Sequence, residues 1–180
     1  MSAFRRVAER DVHRWAVWAL RTGSFVDPEG GEFERTYVAS PGAVAVVAID
    51  GEGRVVLVRQ YRPALDRPMW EIPAGMRDVA GEDPAVTAAR ELAEETGLAA
   101  DRLEPLGTHV SASGVTDSAV VLYLGTDLRE VPADRHGPEE RHMEVARVPL
   151  AEAVAMVDRG EITDGKTVIG LLQARRRAGG

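Results

Sequence analysis

Three glutamates, Glu91, Glu94 and Glu95, crowd the stretch RELAEETGL (residues 90–98), and Gly97 follows them at once. On a helix, at about 100° per residue, the three side chains span an arc of about 100°, so their oxygens share one side. Ala85, Ala89, Leu92 and Ala93 fall roughly opposite and are expected to face the core. As a plain solvated face the arrangement is costly. Glu91 and Glu95 are like charges four residues apart, which costs ~0.2–0.5 kcal/mol. Carboxylates in a last turn also oppose the helix dipole, at ~0.3–1 kcal/mol each. A divalent cation removes both penalties, and hard oxygen ligands that leave room for water and phosphate suit Mg²⁺ or Mn²⁺. The helix alone leaves both readings open, a solvated acidic face and a metal site.

The elements that must position these groups follow from local signals. A helix is predicted over Pro84–Thr96, with Asp83 as N-cap, Pro84 at the first helical position and Gly97 as the stop. Before it, MWEIPAG (69–75) reads as a short extended piece ending in a turn. GAVAVVAID (42–50) and RVVLVRQYR (54–62) read as a buried hairpin joined by GEG, and AVVLYLGTDL (119–128) and EVARVPL (144–150) as further strands. WAVWALRTGSFV (15–26) and GEFERTYVAS (31–40) read as two strands around the turn DPEGG. RHGPEERHM (135–143) reads as a polar loop, and AEAVAMVDRG and TVIGLLQARRR as two closing helices. Strands outnumber helices without regular alternation, which favours an α+β sheet over a parallel nucleotide-binding one.

Composition narrows the function. The 180 residues suit one domain with a full core, or a domain plus an arm. A net charge of −7 argues against nucleic acid as a partner. No apolar run approaches the ~18 residues that span a bilayer, and MSAFRRVAERDVHRW lacks an apolar signal core, so a cytoplasmic protein without membrane partners is expected. The absence of cysteine excludes disulfides, zinc–thiolate sites and thiol nucleophiles. His13, His109, His136 and His142 show no ligand spacing. Of the 22 basic residues only Lys166 is a lysine. It lies in GEITDGKT (160–167), which matches the P-loop pattern, but the preceding run is helical rather than a strand, and Glu161 and Asp164 would repel phosphate. A turn between helices is expected there instead.

The run GMRDVAGEDPAVTAARELAEETGL (75–98) carries Gly75, a spacer, Glu82, seven residues, Arg90-Glu91, Leu92, one residue, Glu94-Glu95, one residue, Gly97 and Leu98. This resembles the Nudix box. The six residues between Gly75 and Glu82 are one more than the pattern carries, but the addition falls before the helix and leaves the carboxylate spacing untouched. The resemblance implies a Nudix fold of the α+β class, a mixed β-sheet sandwiched between helices, here with an N-terminal antiparallel β arm. It implies an arm at 1–40 for dimerisation and a hydrolase domain at 41–180. It also implies that Glu91, Glu94 and Glu95 collect divalent cations on a diphosphate. The turn at Gly75 would add the carbonyl of Ala74, and Arg90 would orient a neighbouring glutamate.

QYRP (60–63), WEIPAG (70–75), the N-terminal strands and the acidic loop after the box resemble the ADP-ribose pyrophosphatase branch of that superfamily. By that resemblance Arg62 contacts the substrate phosphates, and Arg35 does so from the partner subunit of a homodimer. The general base is a loop glutamate, Glu140 by position, with Glu139 beside it; Glu140 is also a candidate ligand to the cation. The branch usually carries PGFSDE or similar where this chain has SGVTDS (113–118), so Ser113 and Gly114 stand in an altered substrate loop. The implied reaction is cation-dependent hydrolysis of a nucleoside diphosphate linked to another moiety, foremost ADP-ribose to AMP and ribose 5-phosphate. The alternatives are another nucleotide sugar or dinucleotide, such as NADH or a diadenosine polyphosphate, and a non-catalytic Nudix-like binding module.

Overall fold

The apolar runs in the middle of the chain form strands buried on both faces. The computed structural model describes residues 3–179 and divides into two compact units. The larger comprises Ala43–His109 and Val120–Gly180. In it, β4 (Ala43–Ala48) pairs in parallel with β9 (Ala119–Glu130) and antiparallel with β7 (Ala74–Met76). With β8 (Leu98–Val110) they make a sheet of order β7-β4-β9-β8. A second sheet, β10-β5-β6, is built from β5 (Arg54–Arg62), β6 (Arg67–Glu71) and β10 (Glu144–Pro149).

Side chains on β4 alternate between two cores, as the two-residue period requires. Val44, Val46 and Ala48 pack with Ala88 and Leu92 of helix α1 (Pro84–Thr96). Ala45 and Val47 pack with Ala153 and Met156 of α3 (Leu150–Asp158) and Leu171 of α4 (Gly165–Ala178). The mixed sheet therefore lies between helices, which is why β4 reads as a continuous apolar run rather than an alternating one.

Helix α1 has the expected bounds and caps. The Asp83 carboxylate accepts the Ala85 N–H at 2.8 Å, and Gly97 closes the helix at φ 69°, where any other residue but Asn is disfavoured. The expected core face shifts by one position: Ala88, not Ala89, is fully buried, and Ala89 is exposed. Ala88 lies one turn before Leu92, so the stripe that meets β4 runs through 88 and 92.

Two other expectations are corrected. β4 and β5 do not form a hairpin. They enter different sheets and meet at the isolated bridge Ile49↔Val55, because β4 is flanked by β7 and β9 and β5 by β6 and β10. The polar loop at 135–143 contains a short helix, α2 (Gly137–Arg141). β8 was not foreseen, since LAADRLEPLGTHV lacks a clean alternation.

The smaller unit comprises the chain up to Gly42 together with Val110–Ala119. It holds three antiparallel strands, β1 (Arg5–Trp15), β2 (Trp18–Val26) and β3 (Glu32–Ala39), one more than expected. β1 is exposed throughout, so it has no apolar face to reveal it in the sequence. Ion pairs tie it down: Arg21 of β2 reaches Glu9 at 3.1 Å and Asp11 at 2.8 Å. Trp15 ends β1, and the turn at Ala16, φ 45°, separates it from Trp18.

Candidate active site

Helix α1 and the β7 turn together build the carboxylate centre. Glu95 points inward and is only 4% exposed. Its carboxylate accepts a hydrogen bond from the backbone N–H of Ala74, at 3.1 Å. Burial raises its pKa to about 8; the Ala74 bond opposes this, and the charges of Glu91 and Glu140 add to it. Burial also raises the Glu91 carboxyl, against the pull of Arg90.

Gly75 is needed for close approach rather than for its φ. A Cβ there would stand 2.0 Å from the Glu91 carboxyl carbon and 2.2 and 2.4 Å from its oxygens. The missing side chain is the space in which the Glu91 carboxylate lies.

Arg90 joins the acidic groups. Its Nη1 donates to Glu91 at 2.9 Å and to Glu94 at 3.1 Å. Its Nη2 lies 3.5 Å from Glu82 and 3.7 Å from Asp78. Glu82 in turn accepts the Thr87 hydroxyl at 2.7 Å. One guanidinium thus holds the acidic face together. Among the described residues no three Asp, Glu or His side chains are already gathered at cation-binding distance. The donor chemistry nevertheless fits a hard divalent cation: two half-buried or buried carboxylates with raised pKa values share a glycine-floored recess, and a positive ion would relieve both.

The loop after β9 wraps the end of α1. Val131 N–H donates to the Gly97 carbonyl at 2.9 Å, and Asp134 N–H to that of Glu94 at 3.2 Å. Arg135, which sequence reading passed over, donates to the Glu95 carbonyl at 2.8 Å and to Met143 at 3.0 Å. Its charge also offsets the dipole at the acidic helix end. This wrapping carries α2 toward the site. Glu140 accepts the His136 N–H at 2.7 Å, and its charge is felt at Glu95. Glu139 instead lines a cavity of about 540 Å³ with Arg59, Tyr61, Pro68 and His142.

Arg62 is only partly free. Its Nε and Nη2 form two 2.6 Å bonds with Glu71, which is 2% exposed. It borders a cavity of about 280 Å³ with Met69, Asp164 and Lys166, and it feels the charge of Glu95. Lys166 sits within 2.5 Å of Glu71 and 3.0 Å of Asp164, and Asp164 caps α4 by accepting the Thr167 N–H at 3.0 Å. The P-loop lookalike is therefore a turn and helix start whose lysine is engaged by carboxylates. Neither Glu71 nor Lys166 was singled out as a partner, because 95 positions separate them.

Arg35, Ser113 and Gly114 belong to the smaller unit. Arg35 is exposed on β3, donates to the Glu34 carbonyl at 2.7 Å and stacks over Phe33 at 5.0 Å. Ser113 and Gly114 lie exposed in a turn closed by Val115 and Thr116 N–H groups on the Ala112 carbonyl. The Thr116 hydroxyl anchors that turn to Val38 at 2.7 Å.

A mixed sheet between helices, with a glutamate helix beneath a glycine turn, defines a class, and the chain belongs to the NUDIX domain family, which it matches over residues 39–169. Among its relatives is the ADP-ribose pyrophosphatase of Mycobacterium tuberculosis (strain ATCC 25618 / H37Rv), 43% identical over 169 residues that cover 94% of this chain and 82% of that protein. The ADP-ribose pyrophosphatase of Bacillus subtilis (strain 168) is 38% identical over 163 residues, covering 91% and 88%. The fold matches a crystal structure of an ADP compounds hydrolase with a TM-score of 0.84 at 19% identity, over 99% of this chain and 96% of that one. Among the described residues no helix is long and apolar enough to cross a membrane.

Proposed function

We propose that this protein is a pyrophosphohydrolase that splits ADP-ribose into AMP and ribose 5-phosphate. The observation that carries the reading is the buried Glu95 beside Glu91, under a turn where Gly75 leaves room for a carboxylate. The relatives named for that activity supply the substrate.

Glu91, Glu94, Glu95 and the Ala74 carbonyl are the groups that would hold Mg²⁺ or Mn²⁺, with Glu140 as a further candidate. A divalent cation bound there neutralises phosphate oxygens and lowers the pKa of water. Arg90 orients Glu91 and Glu94 through its two hydrogen bonds. The free edge of Arg62 binds a phosphate oxygen. Glu140, or Glu139 beside it, takes a proton from the attacking water as its oxygen bonds to one phosphorus. The bridging P–O bond breaks and the other phosphate leaves with the bridging oxygen, so one water is consumed per molecule cleaved.

Homodimerisation through the N-terminal strands belongs to the same reading, with Arg35 of the partner subunit and the Ser113–Gly114 turn as further substrate contacts. A cytoplasmic site of action fits the absence of cysteine. A second reading rests on SGVTDS: with Ser113, Val115 and Ser118 in the altered loop, another nucleotide sugar or a dinucleotide becomes the preferred substrate.

The test is a hydrolysis panel of ADP-ribose, NADH, diadenosine polyphosphates and nucleotide sugars with Mg²⁺, Mn²⁺ or EDTA. ADP-ribose should lead in kcat/KM, and EDTA should abolish turnover. Higher kcat/KM on another member of the panel would favour the second reading. Turnover of none would leave a binding module.

A further inference from the structure

The strongest unexplained feature is the buried charge cluster that joins the start of α4 to the end of β6. Glu71 is almost wholly buried yet ionised. Burial pushes its carboxyl up, but the Arg62 hydrogen bonds and the charges of Lys166 and Arg62 hold it below the usual value. One carboxylate oxygen, Oε2, accepts from both Arg62, at 2.6 Å, and Lys166, at 2.5 Å; Oε1 accepts from Arg62 at 2.6 Å. The bidentate pair fixes the plane of the guanidinium. It uses Nε and Nη2, so among the described residues Nη1 is the edge left for a ligand. The Lys166 side chain is 15% exposed and that of Arg62 is 40%, so Arg62 reaches the open side of the cluster while Lys166 stays behind it.

The same helix start grips the chain one residue further on. Ile72 N–H donates to the fully buried Thr167 hydroxyl at 2.9 Å. Two residues later Ala74 donates to Glu95. The GKT segment is thus bonded to the short link that joins the end of β6, at Glu71, to the Ala74–Gly75 turn of β7.

The geometry points to Lys166 as a positioning residue for diphosphate binding, acting through Glu71 to hold the free edge of Arg62 toward the substrate phosphates. This rests on the proposed function for the role of Arg62. Lys166 supplies the second positive charge that keeps Glu71 ionised with Asp164 alongside. Without it the carboxylate is undercompensated in a low-dielectric setting, and its two-point grip on Arg62 loosens.

The experiment is a double-mutant cycle of Lys166→Met and Arg62→Ala, with Lys166→Gln replacing Lys166→Met if the latter does not fold by circular dichroism. Two quantities are read, kcat and KM for ADP-ribose at saturating Mg²⁺, and the Kd of ADP by calorimetry. We expect Lys166→Met to raise KM and Kd about tenfold with kcat within threefold. In the Arg62→Ala background it should change neither by more than twofold. Equal effects in both backgrounds would show that Lys166 does not act through Arg62, and unchanged KM and Kd would show that it does not act at all; either overturns the inference. The ADP measurement does not depend on turnover. A parent that fails to cleave ADP-ribose refutes the proposed function, while the Kd cycle still decides the role of Lys166.

Discussion

Gly75→Ala separates catalysis from stability. The new methyl carbon would lie 2.0 Å from the Glu91 carboxyl carbon, whereas ordinary contact begins at 3.4 Å, so that carboxylate must move by about 1.4 Å. The obstacle is the far end of a flexible side chain, and Glu91 can rotate away. A forced rotamer costs ~0.5–1.5 kcal/mol. Replacing glycine where its φ is unexceptional returns ~0.4–1 kcal/mol by restricting the unfolded chain. Net stability should therefore change by less than about 1 kcal/mol. Activity should not be spared, since a displacement of about 1 Å in a reacting constellation costs on the order of 10²-fold. That equals ~2.7 kcal/mol of transition-state stabilisation. The assay is kcat/KM for ADP-ribose with excess Mg²⁺, alongside a urea melt. Activity within threefold of the parent would refute the claim that the recess at Gly75 exists for the Glu91 carboxylate. A loss of 3 kcal/mol or more in stability would show that the backbone, not the side chain, had been forced to move.

Four further substitutions test the buried carboxylates and the proposed substrate contacts. Glu95→Gln should lower kcat by ~10²-fold or more while raising stability in EDTA at pH 8. The sign follows from the raised pKa: the neutral Glu95 carboxyl carries no burial penalty below its ordinary value near 4.5, and stability is lost as pH rises through about 8. Urea melts of parent and variant at pH 5 and 8 check this, and equal parent stability at both would count against it. Glu71 has the opposite sign, because its folded pKa is lowered; its contribution is present above about 4.5 and lost as pH falls through the folded value. Glu71→Gln should cost ~3–5 kcal/mol at pH 7 and flatten the acid limb of a stability–pH curve. Ser113→Pro with Ser118→Glu should raise the kcat/KM ratio of ADP-ribose to other nucleoside diphosphates, and an unchanged ratio removes the loop as the determinant. Mixing inactive Arg35→Ala with inactive Glu95→Gln under subunit exchange should restore activity, since one heterodimer site is intact; no recovery despite verified exchange places Arg35 outside the partner's site.

What the sequence decided by itself is local. Pro84–Thr96 could be bounded to the residue because Asp83, Pro84 and Gly97 act on backbone groups within one turn. The shared face of Glu91, Glu94 and Glu95 follows from 100° per residue and nothing further away. The alternation of β4 between two cores was latent in its apolar run, but which strand it would pair with was not, and the expected hairpin with β5 gave way to β7 and β9. β1 was invisible because its stability comes from Arg21 and backbone pairing rather than from an apolar face. Nor could the helix say that Glu95, of its three glutamates, is the buried one. That depends on which face meets β4 and on where the Ala74 amide arrives, both set by packing. The same holds for Arg62, Glu71 and Lys166: each is an ordinary charged residue in sequence, and only the docking of α4 against the end of β6 makes them one cluster. Helix and turn signals act over a few residues, whereas burial and ion pairing between distant segments exist only once the faces that bury them have met.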